Sequence, residues 1–243
     1  MTNTRKQMSK YISDTRILRG MQAQLALRAA RLENGDSSLG WKAGFGSPQA
    51  MEKLGTTMPL VGFLTAHSRL QSGEVVAVGP WKKPAMEPEI AIQLAHDLGA
   101  GATRQQVQES IGAVGMAIEL ADVEFPPEDV EKILAGNIYN RYVILGPSDT
   151  SRAGGLLHGL VGQVYRNGTK TATTDDLQAL TGDPVEIVRH AANLLGMFGE
   201  QITAGEWVIA GSIVPPLWIE ESEEIRYQLE PLGELAVKLD VTK

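Results

Sequence analysis

Two apolar segments that carry acidic residues constrain the fold of this chain more than any other feature of its sequence. Glu87-Pro88-Glu89 leads directly into the largely apolar run 90–95, and Glu119 lies inside a second apolar run, 114–120. Short apolar runs of this kind are typical of buried strands. A carboxylate is expensive to bury without a partner, so the fold must bring one to each of these acids.

The spacing of the first two acids predicts a shared orientation. Side chains alternate between the faces of a strand, so Glu87 and Glu89 project from one face, about 6–7 Å apart along the backbone. Two such carboxylates stay ionised with a cation between them, or one of them takes up a proton. With Glu119 they offer three oxygen donors, which suit Mg²⁺ or Mn²⁺. The alternative is a solvated strand face, but the apolar neighbours of Glu119 favour the metal site.

Local patterns elsewhere predict a mixture of helices and turns. An apolar stripe predicts an N-terminal helix that ends near Gly35, and Asp183-Pro184-Val185-Glu186 has the composition of a helix start. Asn167-Gly168 predicts a hairpin. The stripe consists of Ile17, Leu18, Met21, Leu25, Ala29 and Leu32. Predicted strands outnumber predicted helices and many are joined by turns, which favours an α+β fold with a mixed, mostly antiparallel sheet.

Composition limits the classes of function. A net charge of −7 argues against nucleic acid as a partner, and the absence of cysteine excludes disulfides, thiolate metal sites and a cysteine nucleophile. No apolar run reaches the roughly 18–20 residues that span a membrane, so we expect a cytoplasmic protein. The basic N-terminal segment allows a transit peptide as an alternative, but its regular apolar stripe favours an amphipathic helix.

Two further positions are candidates for contact with a ligand. Lys42 lies beside Trp41 between glycines, so it is either held near a ligand or exposed in a loop. Ser212 follows Gly211 after a predicted buried strand, where a hydroxyl and a backbone N–H can bind an anion. The four histidines are not spaced as metal ligands, and His190 is predicted on the polar side of its helix. Motifs for a Ser-His hydrolase, a P-loop or a dinucleotide site are absent from the sequence.

These positions belong to an ordered series of short motifs that resembles the fumarylacetoacetate hydrolase superfamily and, within it, the 2-keto-4-pentenoate hydratase branch. The series comprises Gly40-Trp41-Lys42-Ala43-Gly44, Pro59 with Gly62-Phe63-Leu64, Glu87-Pro88-Glu89-Ile90-Ala91, Glu119 with Asp122, Gly182-Asp183-Pro184, and the segment from Ala204-Gly205-Glu206 to Gly211-Ser212.

The resemblance implies a rolled mixed β-sheet core with a smaller helical N-terminal part. We therefore expect a single catalytic domain, 1–243, with an N-terminal part at 1–72 and a metal-binding β core at 73–243, assembled as a homo-oligomer. It also implies Mg²⁺ or Mn²⁺ bound by Glu87, Glu89 and Glu119, and Lys42 as a catalytic acid or base. A 2-oxo acid substrate would contact Lys42, Phe63, Leu64, Asn137 and Ser212.

The implied function is that of a hydro-lyase, which adds water to a small 2-oxo-4-enoate through a metal-stabilised enolate, as in the degradation of aromatic compounds. One alternative is a 2-oxo acid decarboxylase or C–C bond hydrolase that uses the same metal site. Another is a non-catalytic homologue that binds 2-oxo acids. The sequence departs from the family pattern around His67 and at 137–141, which leaves these alternatives open.

Overall fold

The computed structural model describes Ser9 and residues 13–242, and within them the chain forms five helices and thirteen strands. The helices are α1 (Thr15–Glu33), α2 (Pro48–Leu54), α3 (Arg104–Ser110), α4 (Val130–Ala135) and α5 (Pro184–Gly196). The strands are β1 (Ser38–Gly44), β2 (Leu60–Thr65), β3 (Arg69–Leu70), β4 (Val75–Ala77), β5 (Pro84–Leu94), β6 (Ile111–Asp122), β7 (Asn140–Asp149), β8 (Val161–Arg166), β9 (Thr169–Thr174), β10 (Trp207–Ser212), β11 (Leu217–Trp218), β12 (Glu223–Glu230) and β13 (Gly233–Asp240).

The larger of two sheets is curled. Its strand order is β2-β1-β10-β5-β6-β7-β3, with β11 added against β5. The two ends of this path, β2 and β3, are joined in sequence by only the short turn Ala66–Ser68, so the sheet bends back on itself. A second sheet of five strands has the order β4-β13-β12-β8-β9. Most pairings are antiparallel, which confirms the predicted α+β fold with a rolled mixed sheet.

The long strands β5 and β6 lie in the middle of the curled sheet and separate two apolar clusters. One face of the sheet joins the main core, which includes Trp41, Met86 and Ile118. The other face carries a smaller cluster, and its members are fully buried. They are Leu64, Ala91, Ala117, Val143 and Ile209. Burial of apolar surface on both faces stabilises the two strands and explains why their sequences are almost continuously apolar.

The helix start and the hairpin turn that the sequence predicted are both present in the structure. Asp183 caps α5 by accepting a hydrogen bond from the backbone N–H of Val185 at 2.9 Å, with Pro184 at the first helical position. Asn167 and Gly168 both have positive φ angles, 48° and 80°, as a two-residue hairpin between β8 and β9 requires. These predictions are confirmed.

The buried face of α1 differs from the predicted stripe. Ile17, Gly20 and Met21 are buried, and the fully buried face continues through Gln24 and Arg28. Leu25 is partly buried against the main core, whereas Ala29 is exposed. The amide of Gln24 donates to the carbonyl of Leu134 at 2.9 Å, and the guanidinium of Arg28 lies 4.7 Å from the ring centroid of Trp41. Partners for these polar groups offset the cost of burying them.

Residues 1–72 contribute more than helices. Strands β1 and β2 belong to the curled sheet, and β1 pairs in parallel with β10 from the other end of the chain. The first part of the chain therefore completes the sheet that carries the acidic residues. No helix in the described part of the chain is both long and apolar enough to cross a membrane.

Candidate metal centre

The three predicted acids meet at one point of the curled sheet. Glu87 and Glu89 lie on β5, and Glu87 is the direct cross-strand partner of Glu119 on β6. One oxygen atom from each carboxylate lies within 4.8 Å of the others. Glu89 and Glu119 are each 1% exposed, and Glu87 is partly buried. The strand alternation inferred from sequence therefore brings the three carboxylates together in a largely buried position.

Burial and mutual repulsion raise the proton affinity of this group. Burial, followed by the negative charge of Glu119, raises the pKa of Glu87 to about 7, against the opposing effect of Lys42. The pKa of Glu89 is raised well above its usual value by burial and by the charges of Glu119 and Glu87. Both effects favour neutralisation of the cluster.

Lys42 enters the same cluster from β1. Its side chain is 2% exposed and forms a buried salt bridge with Glu119. Its Nζ also donates to the carbonyl of Ile138 at 3.2 Å. Of the two alternatives for Lys42, the exposed loop lysine is therefore wrong, because the residue lies in the centre of a strand with its ammonium group among the acids.

The charges and donor atoms of the cluster fit a divalent cation. With all groups ionised, three carboxylates and one ammonium leave a formal charge of −2. Glu119 directs Oε1 at Lys42, and Glu89 directs Oε2 at a backbone N–H, so each retains a second oxygen as a possible ligand. Carboxylate oxygens in a group of this size are hard donors of the kind that Mg²⁺ and Mn²⁺ prefer.

Two polar contacts orient the carboxylates, and sequence reasoning did not find either of them. The side chain amide of Asn140 donates to Oε1 of Glu119 at 2.8 Å. The backbone N–H of Gly211 donates to Oε2 of Glu89 at 2.7 Å. Gly211 has a φ angle of 96°, and a Cβ atom there would lie 2.9 Å from Thr181 Cγ2, so glycine is required. The glycine near the end of β10 was the only signal of this contact in the sequence.

Two of the predicted substrate residues lie on the face of the sheet that carries the acids. Ser212 pairs with Glu89 across β10 and β5, and its hydroxyl donates to the carbonyl of Val214 at 2.6 Å. Leu64 belongs to the small apolar cluster and is fully buried below the acids. Their contact with a substrate stays a prediction.

Two further predicted substrate residues, Phe63 and Asn137, are hydrogen-bonded to each other. Phe63 is the cross-strand partner of Trp41, so its side chain points to the face opposite Lys42, where Arg31 lies 5.2 Å from its ring centroid. Its backbone N–H donates to Asn137 Oδ1 at 2.8 Å, and Asn137 Nδ2 donates back to its carbonyl at 3.0 Å. A direct substrate contact from Phe63 or Asn137 stays a prediction.

A strained turn closes over Lys42. Asn137, Ile138 and Tyr139 all have left-handed backbones, with φ angles of 55°, 52° and 61°. This conformation is rare for a β-branched residue such as Ile138 and must be held by its surroundings. The carbonyl of Ile138 accepts from Lys42, and that of Tyr139 accepts from the backbone N–H of Asp122 at 3.0 Å. The turn therefore joins β1 to β6 across the cluster.

His190 is not on a polar surface, contrary to the prediction. Its ring is 1% exposed, and Nε2 lies 2.8 Å from the carbonyl oxygen of Pro59. Burial lowers the pKa of His190 to about 4, so the ring is neutral and Nε2 donates to that carbonyl. Helix α5 is therefore buried around more of its circumference than the sequence pattern indicated.

Relatives at the sequence level cover most of the chain, although no protein-family model matches it. The chain is 25% identical to a 4-oxalocrotonate decarboxylase from Pseudomonas sp. over 222 residues, which are 88% of this chain and 84% of the relative. It is 28% identical to a 2-hydroxyhexa-2,4-dienoate hydratase from Comamonas testosteroni, over 88% of this chain and 81% of the relative. A 2-keto-4-pentenoate hydratase from Dechloromonas aromatica (strain RCB) is 25% identical, with 85% and 80% covered.

Solved structures share the fold. A 4-oxalocrotonate decarboxylase from Pseudomonas putida G7, complexed with magnesium and adipate, has a TM-score of 0.83 at 21% identity over 98% of this chain and 99% of that chain. Fumarylpyruvate hydrolase from Pseudomonas aeruginosa, in complex with Mn²⁺ and pyruvate, has a TM-score of 0.65 at 15% identity, with 83% and 89% covered. Fumarylacetoacetate hydrolase from Exiguobacterium antarcticum has a TM-score of 0.63 at 14% identity, with 84% and 76% covered.

Proposed function

We propose that this chain is a metal-dependent hydro-lyase, because it is a homologue of the 2-keto-4-pentenoate hydratases and 4-oxalocrotonate decarboxylases. It also shares the fold of the fumarylacetoacetate hydrolase superfamily. Its substrate would be a small 2-oxo-4-enoate, to which it adds water, as in the degradation of aromatic compounds. The observation that carries the proposal is the buried ammonium of Lys42 within the cluster of Glu87, Glu89 and Glu119.

The three glutamates would hold the metal ion, and the polar contacts around them would fix their orientation. A bound divalent cation would polarise the 2-oxo group and stabilise the negative charge that develops on its oxygen when a proton leaves C3. The formal charge of −2 on the cluster supports a divalent ion, and Mg²⁺ or Mn²⁺ is our proposal for its identity.

Lys42 would move the proton. Glu119 and the carbonyl of Ile138 accept two hydrogen bonds from its ammonium group, and an ammonium has three donors. The third can therefore be directed at a substrate. We assign Lys42 as the acid or base that exchanges a proton with the carbon chain, a step to which a positioned side chain typically contributes about 10²–10⁴-fold.

The remaining residues would shape the pocket. Ser212 and Leu64 share a face with the acids, so we propose that Ser212 contacts the polar end of the substrate and that Leu64 contributes to an apolar floor. Phe63 and Asn137 would act through the turn at 137–139, whose position their mutual hydrogen bonds fix. This refines their assignment from direct contacts to support of Lys42.

One experiment tests the reaction. The purified protein is freed of metal, reloaded with Mg²⁺ or Mn²⁺, and incubated with 2-hydroxypenta-2,4-dienoate while absorbance and products are followed. Metal-dependent loss of the dienol with formation of the hydrated 2-oxo acid is the expected result. If no 2-oxo acid is consumed although oxalate binds in the presence of metal, the protein is the non-catalytic binding homologue instead.

Decarboxylation is a second candidate, because one observation favours it. At the sequence level the 4-oxalocrotonate decarboxylase from Pseudomonas sp. is as similar to this chain as the hydratase from Dechloromonas aromatica, since both are 25% identical, over 88% and 85% of this chain. The same cluster would serve, since decarboxylation and C–C hydrolysis also develop negative charge at the 2-oxo oxygen. Incubation with 4-oxalocrotonate or oxaloacetate would release CO₂ without a hydrated product if this candidate is correct.

Assembly and location complete the proposal. We propose a homo-oligomer in the cytoplasm, formed from a single catalytic domain, 1–243, in which 73–243 supplies the carboxylates and 1–72 supplies Lys42. Light scattering coupled to gel filtration measures the assembly, and cell fractionation tests the location.

A further inference from the structure

A fully buried glutamine on α1 donates to the end of the helix that precedes the strained turn. Gln24 is 0% exposed, and its Nε2 donates to the carbonyl of Leu134 at 2.9 Å. That carbonyl lies in the last turn of α4, where carbonyl groups lack a partner within the helix. The backbone N–H of Asn137 donates to the same oxygen, also at 2.9 Å. Gln24 therefore contacts the point at which the chain leaves α4 and enters the turn at 137–139.

Close packing of α1 on α4 brings Gln24 to this position. Gly20 lies one turn before Gln24 on the same buried face of α1. A Cβ atom at Gly20 would lie 2.7 Å from Leu134 Cβ and 2.9 Å from the carbonyl oxygen of Glu131, so the missing side chain allows the approach. At the edge of the same contact, Arg19 forms a salt bridge with Glu131 at 2.7 Å. The two helices are thus in direct contact, with the amide of Gln24 directed at the end of α4.

The turn that follows α4 determines where the ammonium group of Lys42 lies. The carbonyl of Ile138 accepts from Nζ of Lys42 at 3.2 Å, so a displacement of the turn displaces this contact. All three residues of the turn have left-handed backbones, which keep that conformation only while their surroundings hold them. The hydrogen bonds between Asn137 and Phe63 hold the turn from β2, and Gln24 holds it from α1.

The hydrogen bonding of Gln24 is incomplete, which favours a role in positioning over a role in stability. Among the residues that the structure describes, none donates a hydrogen bond to its Oε1. An unpaired buried acceptor costs free energy, and this cost offsets much of what the bond to Leu134 contributes. A methionine would have a similar shape and would avoid the cost, but it could not hold the carbonyl of Leu134 in place.

We propose that Gln24 is a positioning residue for the proton-transfer step. Its amide holds the carbonyl of Leu134, this carbonyl holds the entry to the turn, and the turn directs the ammonium group of Lys42 within the cluster. The first described helix of the chain therefore supports the reaction without contacting the substrate. This inference rests on the proposed function, because it requires Lys42 as the acid or base.

Substitution Gln24→Met separates a positioning role from a structural one. With the Mn²⁺-loaded protein and 2-hydroxypenta-2,4-dienoate, kcat should fall about 10–100-fold at an unchanged KM, because a displacement of about 1 Å can have an effect of this size. The free energy of unfolding in urea should be unchanged or higher, since the variant removes the unpaired acceptor together with the bond. A structural role would instead lower this free energy and leave kcat unchanged.

Amide hydrogen exchange tests the support of the turn without requiring turnover. The backbone N–H groups of Asn137 and Ile138 donate to the carbonyls of Leu134 and Ile133, at 2.9 and 2.8 Å. Measured on the metal-free protein, Gln24→Met should make both N–H groups exchange about tenfold faster, because the turn opens more often. The N–H groups in the middle of α5 should keep their rates.

Gln163→Met is the matched control. Gln163 is also a buried glutamine, and its Oε1 accepts a hydrogen bond from the hydroxyl of Tyr165 at 2.9 Å. It lies on β8 in the second sheet, away from α1 and from the turn. This variant should keep both kcat and the exchange rates of the turn.

The positioning role is overturned by an unchanged kcat in Gln24→Met, by unchanged exchange at Asn137 and Ile138, or by an equal fall of kcat in Gln163→Met. A Gln24→Met protein that no longer folds also overturns it, because the residue is then structural. Absence of metal-dependent turnover in the unsubstituted protein overturns the proposed function instead. The exchange rates then still decide whether Gln24 holds the turn.

Discussion

Glu87 and Glu119 are direct cross-strand partners in the middle of the curled sheet, so two like charges face each other in a largely buried position. Directly opposed like charges destabilise a sheet. Lys42 compensates for one of them, through Glu119. The second charge and that of Glu89 remain, which links the stability of the fold to whatever cation the cluster holds.

Substitution Glu87→Gln should stabilise the metal-free protein and remove metal binding. Loss of one opposed charge should raise the free energy of unfolding in EDTA by up to about 1 kcal/mol, the usual range for a cross-strand pair. Calorimetric titration with Mn²⁺ should detect no binding, and turnover should be lost. Glu119→Gln should likewise abolish metal binding and activity. Exposed Glu52→Gln is the control, and full activity in both site variants would disprove the metal assignment.

Substitution Lys42→Met should separate chemistry from metal binding. Turnover should fall about 10²–10⁴-fold with Mn²⁺ affinity retained, because Lys42 handles the proton while the glutamates hold the ion. Loss of its charge leaves Glu119 without its buried partner, so the metal-free variant should be about 3 kcal/mol less stable in urea unfolding. Exposed Lys53→Met should change neither quantity. A variant with normal kcat would exclude Lys42 from the reaction.

Substitution Asn140→Ala should weaken metal binding through Glu119. The amide of Asn140 orients that carboxylate, and removal of such supporting hydrogen bonds usually costs about 10–100-fold in metal affinity or activity. The Kd for Mn²⁺ should therefore rise within this range. Asn34→Ala, at the end of α1, provides a control for a generic loss of an asparagine hydrogen bond. An unchanged Kd would show that Glu119 is oriented by Lys42 alone.

The free energy of unfolding should fall as the pH is lowered, over a pH range that is set by the pKa of His190. Its pKa is about 4 in the folded protein, below the usual value near 6.5 in an unfolded chain, so the unfolded state takes up the proton first as pH falls. Stability from this residue is complete above pH 6.5 and is lost towards pH 4, by about 3 kcal/mol in total.

Urea unfolding at pH 7, 5 and 4 measures this loss. His190→Gln should flatten the profile over this interval, whereas exposed His96→Gln should leave it unchanged. Parallel profiles for the unsubstituted protein and His190→Gln would contradict the assignment of a buried neutral ring.

The sequence was sufficient where the determining interactions are local. Period-two alternation placed Glu87 and Glu89 on one face, and the cap at Asp183 and the turn at Asn167-Gly168 follow from neighbouring residues. Contacts between residues that are distant in the sequence could not be predicted. Asn140 and the N–H of Gly211 reach the acids only through strand register, and the burial of His190 depends on the carbonyl of Pro59, far away in the chain.

The pairing of β1 with β10 has a consequence for how the protein can evolve by the exchange of chain segments. The residue that we assign to proton transfer lies on a strand from the first part of the chain, while the acids come from strands further along it. Recombination near residue 72 would therefore exchange the proton-transfer group together with three strands of the curled sheet, β1, β2 and β3.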